Sequence, residues 1–181
     1  VAITSIEFCE QNPRLAYDVN ALFAKHIAMA CNILQIPLIH ISTDHIFSGL
    51  SSFMSEEHAP YPLNVYASTK LDAENFVIEC CPQAIVVRTN FFGWGTSYRT
   101  SFTDHILNHF RKEISFSGFT DVYFTPLIIS ELAKAAHELL SLGASGLFHI
   151  SSNNRISKYE FATLLAKLFN YSPSLVIPSE L

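Results

Sequence analysis

Hydrophobic and polar positions along this chain fall into two rhythms. Ile36-Pro37-Leu38-Ile39-His40-Ile41, Ala84-Ile85-Val86-Val87-Arg88 and Gly146-Leu147-Phe148-His149-Ile150 are short, almost unbroken apolar runs. That is the signature of strands buried on both faces of a parallel sheet. Between them lie longer stretches with helical spacing. Asn12 before Pro13 marks a helix start, a capping side chain followed by proline in the first turn. Tyr17, Leu22, Ala24, Ile27, Ala28, Cys31 and Leu34 then continue as an apolar stripe. Asn20 lies inside that helix, where Asn is unfavourable, and is either exposed or engaged in a polar link. Thr125-Pro126 introduces a further helix closed by Gly143, and Ser157 with Glu160 forms a capping box for another. Residues 114–124 alternate around Gly118 as two short strands joined by a turn, and Ser174–Pro178 reads as an edge strand. The pattern predicts strands near 36–42, 84–89 and 146–150, and helices at 13–34, 63–80, 101–112, 128–142 and 158–169. Such alternation specifies an α/β fold with a parallel sheet.

Composition narrows the function classes. The 181 residues carry a net charge of −5 without a basic cluster, which argues against nucleic acid as a partner. No apolar run approaches the ~20 residues that span a bilayer. The opening V-A-I-T-S-I-E-F has no basic n-region and no initiating Met, so it reads as the start of a fragment and not as a signal peptide. Cysteines at 9, 31, 80 and 81 have neither zinc-site nor C-x-x-C spacing, and free thiols in a reducing cytoplasm account for them. His105 and His109 are four apart on a helix, but no third ligand is evident and no metal is expected.

The chemistry concentrates in residues 42–70. Ser42, Thr43 and Asp44 follow the first apolar run, placing hydroxyls and a carboxylate at a strand's carboxyl end, where open α/β sheets bind ligands. After a polar loop over 44–61 that can reach over a substrate, Pro62 and Asn64 precede a helix on which Tyr66 and Lys70 share a face. A phenol with a pKa near ~10 becomes a useful acid–base catalyst when an ammonium one turn away stabilises its anion. Such a site suits proton transfer at a carbonyl or alcohol oxygen while a cofactor moves a hydride. The plainer alternative is a packed Tyr66 and a solvated Lys70. Thr89-Asn90-Phe91-Phe92-Gly93-Trp94-Gly95 follows the second run, again at a strand end; Phe92 and Trp94 read as packing residues.

S-T-D-H-I-F-S-G (42–49), P-L-N-V-Y-A-S-T-K (62–70), V-V-R-T-N-F-F-G-W-G (86–95) and T-P-L-I (125–128) together resemble the extended short-chain dehydrogenase/reductases, and within them the dTDP-4-dehydrorhamnose reductase-like (RmlD-like) family. The resemblance runs through nearly the whole chain. It implies a partial Rossmann-type, doubly wound parallel sheet, with 1–95 as its catalytic half and about 96–181 mixing a small substrate-binding portion with returning sheet elements. It implies Thr43, Tyr66 and Lys70 as catalytic triad. Ile3, Ser42, Tyr66, Lys70 and Thr89 would meet NADP or NAD, and Thr43, Asp44 and Phe91 a nucleotide-sugar substrate. Asn20 would link its helix to the active-site strand.

The implied activity is NAD(P)H-dependent reduction of a nucleotide-linked 4-keto sugar by a cytoplasmic enzyme, possible as a homodimer. Alternatives are an epimerase or dehydratase, or a non-catalytic subunit like the regulatory β subunit of methionine adenosyltransferase. Dehydratases add an acid–base pair at the strand end, and here Asp44 has no Glu after it. The family's glycine-rich phosphate turn, G-x-x-G-x-x-G, does not occur among the 6 glycines. The expectation is therefore that a first βαβ unit is missing and that the 181 residues alone bind NADP(H) poorly and are inactive.

Overall fold

The computed structural model describes residues 2–97 and 99–181. In chain order the elements are α1 (Ile6–Gln11), α2 (Pro13–Tyr17), a π-helical turn (Asp18–Leu22), α3 (Phe23–Leu34), β1 (Ile39–Ile41), α4 (Val65–Cys80), β2 (Ile85–Arg88), β3 (Phe91–Phe92), α5 (Phe102–Arg111), β4 (Phe116–Phe119), β5 (Tyr123–Phe124), β6 (Leu127–Ile128), α6 (Ile129–Ser141), β7 (Gly146–His149), β8 (Ile156–Ser157), α7 (Lys158–Leu168) and β9 (Val176–Ser179). They divide into two units: residues up to Thr89 with Ala133–Ile150, and Asn90–Leu132 with Ser151–Leu181.

The first unit holds the expected parallel sheet, in the order β1-β2-β7. β2 is bonded along both edges and all four of its residues are buried. β1 has β2 as its one neighbour among the described strands, so Ile39, His40 and Ile41 are half-buried, less than an unbroken apolar run suggests. Its ladder bonds reach past the strand at both ends, from Ile85 N–H to Leu38 O at 2.9 Å and from Ser42 N–H to Val87 O at 2.6 Å. Ala28 of α3 and Val77 of α4 pack with Ala84 and Val86 beneath the sheet.

The helical run over 13–34 departs from expectation in two ways. Asn12 does not cap it: its side-chain amide donates back to Phe8 O at 3.1 Å, in a helix α1 that the pattern did not predict. The buried face is also rotated. Ala16, Asn20, Ala21 and Ala28 are buried, whereas Ile27 and Leu34 are exposed. The π turn adds a residue and shifts every later side chain around the axis, which a constant 3.6 period cannot register. Small residues then face α4, letting the two helices approach closely.

In the second unit both predicted strands of 114–124 exist, yet they do not pair with each other. β4 runs parallel to β9, and β5 pairs antiparallel with β8. A lone hairpin is only marginally stable in water; here the strands instead bring Phe116 and Phe124 into one core with Ile106, Phe110, Phe161, Leu165 and Val176. Gly118 permits this, because a Cβ there would lie 2.8 Å from Tyr159 Cα. The Ser157–Glu160 capping box is present, and a second one, Ser101 with Asp104, starts α5. Asp104 also accepts from Gly95 N–H at 2.7 Å, and those bonds hold its carboxyl below the usual range. Thr125-Pro126 leads into β6, paired parallel to β3, before α6 begins.

Phe110, 1% exposed, should cost about 3–5 kcal/mol when cut to Ala. Leu168, 73% exposed, should cost within about 0.5 kcal/mol. Urea denaturation of the two variants checks the contrast.

Candidate active site

α4 begins where Asn64 accepts the Ala67 N–H at 2.8 Å, a cap that fixes Tyr66 in the first helical turn. Lys70, one turn later, is 5% exposed and crosses from α4 to the end of β1. Its Nζ donates to Ile41 O at 2.7 Å and lies 3.4 Å from His40 Nε2. Burial pushes the Lys70 pKa down to about 8, against the upward pull of the Glu74 carboxylate. Burial and the Lys70 ammonium lower His40 to about 3, so this imidazole is neutral at working pH. Tyr66 packs edge-on to His45, 5.9 Å between centroids. The alternative of a solvated Lys70 therefore does not hold; the ammonium is buried and directed at the strand end.

Thr43, two residues past Ile41, is also buried, its Oγ1 accepting the His45 N–H at 3.2 Å and donating to Asp44 Oδ1 at 3.4 Å. Ser42 is committed elsewhere: its hydroxyl makes a short bond to Glu74 Oε1. Glu74, 1% exposed, meets Arg88 through a forked pair, Nη2 to Oε2 at 2.7 Å and Nε to Oε1 and Oε2 at 3.1 and 3.0 Å. Thr89, next to Arg88, is buried with an Oγ1 that has no hydrogen-bond partner among the described residues. A buried hydroxyl left unsatisfied at a strand's carboxyl end is an opening for a ligand.

Asn20 is neither exposed nor tied to the active-site strand. It is buried, donating to Thr69 Oγ1 on α4 at 3.1 Å and to Ile3 O at 3.0 Å, and accepting from Ile3 N–H at 2.8 Å. Both backbone groups of Ile3 are thus engaged by Asn20, and Ile3 O also accepts from Cys9 Sγ at 3.6 Å. Thr69 in turn donates to Tyr66 O at 2.9 Å, so Asn20 acts on the turn of α4 that carries Tyr66. Phe91 lies in β3 of the second unit, 46% exposed.

Sequence reasoning brought Thr43, Asp44, Tyr66 and Lys70 together and overlooked His40, Glu74 and Arg88. Two signals could have found the last pair: Glu74 stands four residues beyond Lys70, and Arg88 ends an otherwise apolar strand. In the second unit the His105 and His109 rings stand 4.6 Å apart, but among the described residues no three His, Cys, Asp or Glu side chains could hold a metal. No helix among them is long and apolar enough to cross a membrane.

Comparison with known proteins bears on the family and the fold. The dTDP-4-dehydrorhamnose reductase of Mycobacterium tuberculosis H37Rv is 30% identical over 188 residues, covering 98% of this chain and 60% of its own length. The crystal structure of dTDP-4-dehydrorhamnose reductase from Bacillus anthracis in complex with NADP superposes with a TM-score of 0.91 at 27% identity, covering 99% of this chain and 63% of that one. The reductase from Clostridium acetobutylicum gives 0.90 at 28% identity, covering 99% and 63%. The chain thus spans about three-fifths of the proteins it matches. The family described as RmlD substrate binding domain matches residues 1–180, and the chain belongs to that family.

Proposed function

We propose that this chain carries the catalytic face of an NAD(P)H-dependent reductase that converts the keto group of a nucleotide-linked 4-keto sugar to an alcohol. The observation behind the reading is the buried Lys70 ammonium, one helical turn from Tyr66 and held on Ile41 O, two residues before the buried Thr43. Reductases of dTDP-4-dehydrorhamnose are among its relatives, which supports the substrate class.

When bound, the nicotinamide cofactor supplies the hydride. Thr43 Oγ1–H positions the keto oxygen, and Tyr66 gives its phenolic proton to that oxygen as charge develops there. The Lys70 ammonium stabilises the resulting phenolate until solvent reprotonates it. Lys70 is assigned a ribose hydroxyl of the cofactor as well, and the Thr89 Oγ1, without a partner among the described residues, is assigned a further contact to it. Asp44 is assigned to the sugar. The 181 residues contain no glycine turn for a pyrophosphate, so the phosphate end of the dinucleotide is not assigned to them.

Tyr66→Phe keeps the ring and removes the hydroxyl. In the complete gene product, assayed with NADPH or NADH and a dTDP-4-keto sugar, kcat should fall about 10²–10⁴-fold with the melting temperature nearly unchanged. A Tyr66→Phe enzyme working at the parental rate would end the catalytic reading. The depressed Lys70 pKa has a thermodynamic signature as well. The folded chain releases this proton at about pH 8, while the unfolded chain keeps it to about 10.4. The unfolded state therefore binds more protons across that window, and the Lys70 contribution to stability rises with pH from about 8 to about 10.4. Denaturant titrations of parent and Lys70→Met should show this rise in the parent and not in the variant.

A further inference from the structure

Residues 47–60 form a loop with a closed neck, where Tyr61 N–H donates to Ile46 O at 2.8 Å. Both of its arms reach His149. On the outgoing arm, the Phe47 ring lies 5.4 Å from the Arg88 guanidinium and meets the His149 ring edge-on at 5.7 Å. On the return arm, Met54 O is 3.1 Å from His149 Nδ1, and Glu56 Oε1 accepts the His149 N–H at 2.7 Å, which lowers the Glu56 pKa. The loop tip carries Leu50 and Phe53, each about 90% exposed.

Arg88 connects this strap to the site. Its Nε and Nη2 are spent on Glu74, and Nη1 lies 3.4 Å from His149 Nε2. A guanidinium has no lone pair, so His149 Nε2 accepts. The ring proton is then on Nδ1, where it donates to Met54 O. One tautomer satisfies both contacts. Glu74 continues the chain of bonds to Ser42, the neighbour of Thr43, and to α4 one turn beyond Lys70.

We propose that Glu74 and Arg88 are positioning residues that couple the placement of α4 to the placement of the 47–60 loop, with His149 as the link; the proposal rests on α4 carrying the site described above. A buried ion pair is often replaceable by apolar residues of similar volume without loss of stability, so burial alone does not call for a fork. The geometry here does, because one planar guanidinium must serve a carboxylate on α4 and an imidazole on β7 together. A lysine ammonium at this position preserves the charge and cannot span both partners.

Arg88→Lys separates charge from geometry. Amide hydrogen exchange is measured at Tyr61 and at position 149, the 13Cε signal of Lys70 is titrated with pH, and the melting temperature is recorded. In Arg88→Lys the two amides should exchange about tenfold faster and the Lys70 midpoint should move, with melting within a few degrees of the parent. His149→Phe should release the loop to the same degree and leave the Lys70 midpoint in place, since it cuts the link on the far side of Arg88. If Arg88→Lys does not fold, the paired Glu74→Leu, Arg88→Met variant removes both charges. Faster loop exchange at a retained melting temperature then supports the coupling. Loop exchange within twofold of the parent in a folded variant overturns it, as does an unmoved Lys70 midpoint in Arg88→Lys. None of these readouts involves turnover, so an inactive Tyr66 and a failed coupling give different results.

Discussion

The first unit depends on one buried ion pair. Glu74 and Arg88 are 1% and 6% exposed, and their charges have no water to solvate them. Removing one partner from such a pair costs about 3–5 kcal/mol, because the other charge remains in the interior. That penalty makes the pair a constraint: α4 can slide neither along nor away from β2 without separating the fork. Ser42 adds β1 to the same point, so three elements meet at one carboxylate. The side chains of the site stand one residue or one turn from these anchors. Thr43 follows Ser42, Thr89 follows Arg88, and Lys70 precedes Glu74 by four.

Lys70 shows what that fixed frame does to chemistry. A solvated lysine would reach water and keep its ordinary pKa. Held between α4 and β1, its ammonium trades water for a backbone carbonyl and a neutral imidazole, and burial prevails over the attraction of Glu74. The lowered value follows from position. Asn20 is a second fixed contact on α4, where a π turn brings its amide to Thr69 and the Tyr66 turn. π turns of this kind are frequent at functional sites.

The second unit is held differently, by aromatic packing without a buried ion pair among its described residues. Phe161 is met edge-on by Phe92 and Phe124 and stacked by Phe102. Gly95 completes the unit's entry, since a Cβ there would collide with Arg99 O and with the Asp104 carboxylate that caps α5.

Interactions within a few residues were determined by the sequence itself. The apolar runs at 36–41, 84–88 and 146–150 each became a strand. The Ser157–Glu160 box formed, and Tyr66 with Lys70 took one helical face because four residues make about one turn. Tertiary structure decided which distant segments would meet. Nothing local told that β4 would prefer β9, 60 residues on, over adjacent β5, since each strand alone offers equivalent backbone donors and acceptors. The same holds for Asn20 with Thr69 and for Glu74 with Arg88. A polar side chain states in sequence only that it needs a partner, and the partner is chosen when packing removes water and leaves one complementary group within reach.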